Sequence, residues 1–184
     1  MLRVVITGPE SSGKSVLAGE LAAYFGAPLV PEYARTYLEQ RPGAYVQADL
    51  LAIAQGQVAA ERAAITQADD LFICDTDLLT IRIWSLEKFG TCDPWIDHHL
   101  EATVESLWLL CSPDLPWQPD PLRENPHDRD RLFDRYRTEL EIRGCPVVVI
   151  HGVGPDRLRR AVDGIRLFSA RSSARSAPDR ARPL

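Results

Sequence analysis

Gly8-Pro9-Glu10-Ser11-Ser12-Gly13-Lys14-Ser15 follows directly on the apolar, β-branched run Leu2-Arg3-Val4-Val5-Ile6-Thr7. After it, Val16, Leu17, Leu21 and Tyr24 recur at helical spacing until Gly26. Strand, glycine loop and helix in this order give the pattern G-x-x-x-x-G-K-S its physical meaning. Glycines let the backbone bend so that consecutive N–H groups point inward, and the helix N-terminus adds partial positive charge. The natural occupant is a triphosphate. The residues expected to hold ATP are Gly8, Glu10, Ser11, Ser12, Gly13, Lys14, Ser15 and Val16, with Lys14 on the β and γ phosphates and the Ser15 hydroxyl on Mg²⁺. A glycine turn with a chance lysine would leave the flanking strand and helix as coincidence.

Outward from that loop, further buried-strand candidates are 28–31, 71–75, 106–111 and 146–150. Helical stretches separate them at about 33–40, 45–68, 76–89, 93–103, 128–142 and 156–168. Strands alternating with helices predict an α/β fold, a five-stranded parallel sheet covered on both faces. The expected kinase domain is 1–168, and 169–184, rich in Arg, Ser and Ala without apolar anchors, is expected to be a disordered tail.

At 184 residues one domain suffices, and 45% hydrophobic with 26% charged residues excludes collagenous, mucin-like and wholly disordered classes. Cys74, Cys92, Cys111 and Cys145 form no C-x-x-C pair, which argues against a zinc site and a secreted disulfide scaffold. No apolar run approaches the roughly 20 residues a membrane span needs, and no charged leader precedes the first strand. A cytoplasmic location with no membrane partner is the expectation. The net charge of -5 combines a +3 tail with a body of -8. So acidic a body argues against nucleic acid as a partner and suits a cationic or weakly charged small molecule. Oligomeric state is not encoded in any pattern seen here.

In an open parallel sheet, ligands gather at the carboxyl ends of the strands, which draws attention to Glu32 and Asp75. Leu71-Phe72-Ile73-Cys74-Asp75 has the apolar-run-then-Asp form of a second Mg²⁺ motif, and Asp77 follows. Asp75-Thr76-Asp77 also suits a helix N-cap, and capping by one residue is compatible with function in another. Arg35 lies one helical turn beyond Glu32.

Together the phosphate loop, Pro31-Glu32-Tyr33-Ala34-Arg35, Ile53-Ala54-Gln55-Gly56-Gln57, Asp75-Thr76-Asp77 and Pro113-Asp114-Leu115-Pro116-Trp117 resemble one family. It is the ribosylnicotinamide kinase domain of NadR-type NAD regulators, within the P-loop NTPases. The resemblance covers about residues 1–150. It implies a nucleoside-kinase-like fold that transfers the γ-phosphate of ATP to the 5′-hydroxyl of nicotinamide riboside, giving nicotinamide mononucleotide for NAD biosynthesis. Bifunctional members carry a DNA-binding helix-turn-helix and an adenylyltransferase domain ahead of the kinase. This sequence starts at the kinase's first strand, so neither repression nor NAD synthesis is expected of it. Where the family pattern has Asp-Gly-Leu-Arg, this chain reads Asp120-Pro121-Leu122-Arg123, which stiffens the loop.

Nicotinamide riboside carries a fixed pyridinium charge, which Trp faces and carboxylates favour. Trp84 and Trp117 are candidates, with core packing the alternative for each. Within 122–136 the arginines Arg123, Arg129, Arg131 and Arg135 suit a cationic lid, Arg123 first, while Asp128, Asp130 and Asp134 offer ion pairs to the rest. His98-His99 lacks a third metal ligand nearby. Gly56 inside a helical pattern signals close approach, by a neighbouring helix or by substrate.

The roles expected are Glu32 as general base, Asp75 on the metal, Asp77 on the ribose hydroxyls and Arg35 on phosphate, with Lys14 and Arg123 serving the transferring group. Rival readings are a kinase for another nucleoside or nucleotide, and a regulatory ATP or GTP switch. An Asn-Lys-x-Asp guanine-reading block is missing: Asn125-Pro126-His127-Asp128 lacks the lysine.

Overall fold

The computed structural model describes residues 1–41, 43–100 and 104–176. Five parallel strands form one sheet: β1 (Leu2–Thr7), β2 (Leu29–Val30), β3 (Leu71–Asp75), β4 (Glu105–Cys111) and β5 (Val147–Ile150). Their order is β2-β3-β1-β4-β5, so the strand feeding the phosphate loop is central. All six β1 residues are buried, as a strand covered on both faces requires. In register, Ile6 lies beside Asp75 of β3 and Leu109 of β4.

Alternation along β1 divides the core. Val4 and Ile6 face α1 (Lys14–Phe25) and α7 (Pro155–Ser176), packing on Leu17, Leu21, Ala161 and Ile165. Val5 faces the other way, with Phe72, Cys74, Leu110, Leu79 and Ile83 of α4 (Leu78–Phe89), and Tyr136 and Leu140 of α6 (Arg129–Ile142). A third cluster joins α4 to α2 (Tyr33–Glu39), α3 (Gln47–Ile65) and α5 (Pro94–His98) through Leu38, Leu50, Ile53, Ile81 and Ile96.

Arg3 departs from the apolar reading of β1. It is 7% exposed, and its guanidinium meets Glu61 of α3 at 2.8 Å and Asp77 at 3.4 Å. Burial works against its charge, yet Glu61 and Asp77 push its pKa above the ordinary arginine value. Burial likewise raises the Glu61 carboxyl against the pull of Arg3.

Gly56 answers to a helix contact. A Cβ there would fall 2.1 Å from the Tyr33 ring, and the Tyr33 N–H donates to Gln57 Oε1 at 3.0 Å. Only the missing side chain lets α2 lie so close to α3.

Two boundaries differ from expectation. α7 continues to Ser176, so the expected boundary at Phe168 falls within a helix; the rest of the expected tail, 177–184, lies outside the described residues. The helix expected to reach 103 is the short α5, ending at His98, and 101–103 also lie outside them. Among the described residues, no helix is long and apolar enough to cross a membrane.

Candidate active site

The phosphate loop leaves β1 pressed against the end of β4. Gly8 has φ of 132°, and a Cβ on it would fall 2.6 Å from the Cys111 carbonyl oxygen. Gly13, at φ 75°, is the N-cap of α1 and brings no capping side chain; the first turn holds no acidic residue. The leading N–H groups of α1 are thus left facing a cavity of about 320 Å³. That is the electrostatic signature of an anion site.

Side chains brace the loop more than they line it. Ser12 Oγ donates to the Pro9 carbonyl at 2.7 Å, and Lys14 Nζ donates to the same oxygen at 2.8 Å. The Glu10 carboxylate accepts from the backbone N–H groups of Glu124 at 3.1 Å and Asn125 at 2.8 Å. Ser11 Oγ accepts from the Gln118 N–H at 2.9 Å. Of the residues expected on ATP, Glu10, Ser11 and Ser12 therefore spend their side chains tying the loop to itself and to 116–125. Their place in the cavity wall is kept.

The Pro113–Trp117 block has the same bracing job. Asp114 accepts from the Gly152 N–H at 2.6 Å and from Arg157 at 3.1 Å, while Arg157 also donates to the Ser12 carbonyl. A Cβ on Gly13 would fall 2.7 Å from Leu115 Cδ1. Arg129 donates to the Leu115 carbonyl at 2.9 Å. Arg157, only 5% exposed, was not singled out from sequence. Its place at the start of α7 gave no signal, because Asp114 and Ser12, the partners that tie it to the phosphate loop, lie more than 40 residues away.

Charged groups converge on this cavity. Lys14, Ser15, Val16, Glu32, Arg35 and Arg123 line it with Trp84. Burial raises the Glu32 carboxyl, with Asp75 adding to the rise; Lys14, Arg35 and Arg123 pull the other way. Burial also raises Asp75, against the Ser15 hydroxyl and the charges of Lys14 and Arg35. Asp75 is 5% exposed, and its Oδ1 has no hydrogen-bond partner. A buried carboxylate oxygen left unpaired costs stability unless something fills its coordination. With the Ser15 hydroxyl beside it, this donor pair fits a hard cation such as Mg²⁺. Among the described residues, no cluster of His, Cys, Asp or Glu forms a separate metal site. His99 stacks on Trp95 at 3.9 Å.

Asp120-Pro121-Leu122-Arg123 forms a turn in which the Arg123 N–H bonds the Asp120 carbonyl at 3.0 Å and the Leu122 N–H bonds Asp120 Oδ1 at 2.9 Å. Asp at the first position and Pro at the second suit such a turn. The other Asp120 oxygen takes Arg35 at 3.1 Å. Arg131 pairs with Asp128, one of the aspartates expected to offer ion pairs, and with Glu87, while Arg135 pairs with Glu139, which was not among them.

Two expected substrate residues are elsewhere. Trp117 is absent from the cavity walls, where Leu115, Pro116 and Gln118 stand, and sets its ring 5.8 Å from the Arg129 guanidinium. Asp77 is a structural residue, 3% exposed. Its Oδ1 caps α4 by accepting from Leu79 N–H at 3.1 Å and Thr80 N–H at 3.4 Å. Its Oδ2 accepts from Trp108 Nε1 at 3.0 Å and meets Arg3. No lone pair is left for a ribose. Asp77→Ala is expected to cost about 3 to 5 kcal/mol in urea unfolding, because it uncaps α4, leaves the buried Trp108 Nε1 without its acceptor and leaves Arg3 with Glu61 alone, with the KM for the phosphate acceptor unchanged. A raised KM in a stable variant would return Asp77 to the substrate.

A second cavity of about 200 Å³ adjoins the first, the two sharing Glu10, Leu38, Trp84 and Leu122. Tyr45, Glu87, Glu124 and Asn125 are among its walls. Lys88 covers one face of Tyr45 at 3.7 Å, which leaves Trp84 as the broad aromatic surface common to both cavities.

Comparison with known proteins points the same way. The family model AAA_28, described as an AAA domain, matches residues 3–157. Over 132 residues the chain is 30% identical to the trifunctional NAD biosynthesis/regulator protein NadR of Escherichia coli K12, covering 70% of this chain and 32% of that protein. The Salmonella typhimurium protein of the same name matches equally, at 30% identity. The chain thus spans about a third of the length of these curated relatives. A crystal structure of a NadR protein in complex with NR superposes with a TM-score of 0.79 at 22% identity, over 91% of this chain and 51% of that one. Thymidylate kinase from Ehrlichia chaffeensis gives 0.63 at 15% identity, over 91% and 98%. These likenesses establish a P-loop kinase fold.

Proposed function

Since the chain belongs to the AAA_28 family of P-loop domains, we propose that it is an ATP-dependent phosphotransferase acting on nicotinamide riboside. The γ-phosphate passes to the 5′-hydroxyl of the riboside. Carrying this reading is the union of the two cavities: an uncapped helix N-terminus with Lys14 opens one, and the Trp84 ring is shared with the other, where Glu87 and Glu124 are paired to Arg131 and Lys88. A triphosphate suits the first, and the Trp84 face offers the second a surface for a cationic ring. The 30% identity to NadR proteins supports the same substrate.

In this reading the α1 N–H groups and Lys14 hold the β and γ phosphates. Arg35 and Arg123 meet charge developing on the transferring group. Glu32, whose carboxyl is raised by burial, accepts the proton of the attacking hydroxyl. Ser15 and Asp75 are the residues that would hold Mg²⁺, which when bound neutralises phosphate charge and polarises the transferring group. Of the two tryptophans expected on the substrate, Trp84 takes the nicotinamide ring.

A substrate panel tests the proposal: Mg-ATP with nicotinamide riboside beside adenosine, cytidine, uridine and thymidine. Nicotinamide riboside is expected to have the highest kcat/KM, and phosphorylation of none of the five would favour a nucleotide switch. Trp84→Ala should lower kcat/KM for the riboside roughly ten- to thirty-fold, the worth of about 1 to 2 kcal/mol of stacking and cation-π attraction. The loss should appear chiefly in KM.

A further inference from the structure

Thr76 stands between the carboxylate assigned to the metal and the carboxylate that caps α4. It is 3% exposed and has φ of 71°. The left-handed region suits glycine and tolerates Asn or Asp; a β-branched residue there is strained and persists only where its surroundings impose the conformation. They do so on both sides. Thr76 N–H bonds the Ile6 carbonyl of β1 at 3.0 Å. Asp77 is held by two helix N–H groups, by Trp108 and by Arg3, and Arg3 is itself anchored on Glu61.

The turn has a directional consequence. In a continuing strand, residues two apart face the same side of the sheet. Asp75 pairs in register with Ile6, whose side chain faces α1, and Asp75 feels Ser15 and Lys14. Asp77, two residues on, lies on the opposite face with Arg3 and Trp108. The positive φ of Thr76 is what separates them.

We propose that the Thr76 turn is a positioning device: Asp77, locked to Arg3 and Trp108, holds Thr76 in its strained conformation and so keeps Asp75 aimed at the metal of the bound nucleotide. This rests on the reading of Asp75 as the metal's carboxylate. Strain in Thr76 makes the lock necessary, because a released turn relaxes to negative φ and swings Asp75 away. Glycine at 76 makes the lock dispensable.

Mn²⁺ binding to the full chain with a non-hydrolysable ATP analogue, read by electron paramagnetic resonance of free Mn²⁺, tests this without turnover or riboside. Asp77→Ala should weaken Mn²⁺ binding about tenfold, and the double variant Asp77→Ala with Thr76→Gly should return to within about threefold of wild type. If Asp77→Ala does not fold, Asp77→Asn keeps a capping oxygen while weakening the pairing with Arg3, and the same weakening and rescue are expected. Unchanged Mn²⁺ affinity in the folded single variants overturns the proposal, as does a double variant that stays weak. Asp75→Asn separates the two layers: if it binds Mn²⁺ normally, the metal assignment of Asp75 fails and the positioning role goes with it.

Discussion

Lys14→Ala is expected to lower kcat by about 10² to 10³ or more, the loss that follows removal of one preorganised group from developing anionic charge. The fold should survive. Lys14 contributes one hydrogen bond to the loop, on the Pro9 carbonyl, and that oxygen also receives Ser12 Oγ at 2.7 Å. Its acceptor stays satisfied when the lysine is gone, so thermal melting should shift by no more than a few degrees, as for a change worth under about 1 kcal/mol. The ammonium has three N–H donors and spends one on Pro9, which leaves two for phosphate oxygens. Near-wild-type turnover in Lys14→Ala would remove the phosphate loop from the chemistry.

The sheet was legible because its strands are buried on both faces and read as unbroken apolar runs. β1 and β3 match the predicted 2–7 and 71–75 residue for residue. Arg3 sat inside such a run without disturbing it, and its meaning depended on Glu61 and Asp77, 58 and 74 residues away. Separation of that size leaves no local pattern. The same limit hid Arg157. Asp77 was expected on the substrate for a different reason: Asp75 and Asp77 share a residue type and a spacing that puts strand residues on one face, and nothing local announces the left-handed turn at Thr76. Trp117 was expected on the substrate, yet Leu115, Pro116 and Gln118 line the cavity without it. Past Phe168 the absence of apolar anchors suggested disorder. Ala and Arg are strong helix formers, however, and extending an existing helix needs no new nucleus.

Glu32→Gln is expected to lower kcat by about 10² to 10⁴ if the carboxylate takes the proton of the attacking hydroxyl. Glutamine keeps the shape and the hydrogen-bonding reach but offers no site for that proton. Glu32 begins α2 as its N-cap with no side-chain cap bond, so its carboxylate is free of the helix and the substitution should leave the fold intact. Burial raises the Glu32 carboxyl above the ordinary glutamate value, with Asp75 adding to the rise. The base works deprotonated, so in the wild type kcat should fall as pH drops through that raised value, and the acid limb should lie above the roughly 4.3 of a free glutamate. Glu32→Gln should erase the limb with the rate. Asp75→Asn is expected to behave differently, raising the Mg²⁺ concentration for half-maximal rate, because an amide is a poorer partner for a hard cation. Measuring kcat against pH and against Mg²⁺ in both variants separates proton transfer from metal binding. Normal turnover in Glu32→Gln, together with an Asp75→Asn enzyme dead at saturating Mg²⁺, would move the base to Asp75; Asp77, with both oxygens committed to the core, is not a candidate for it.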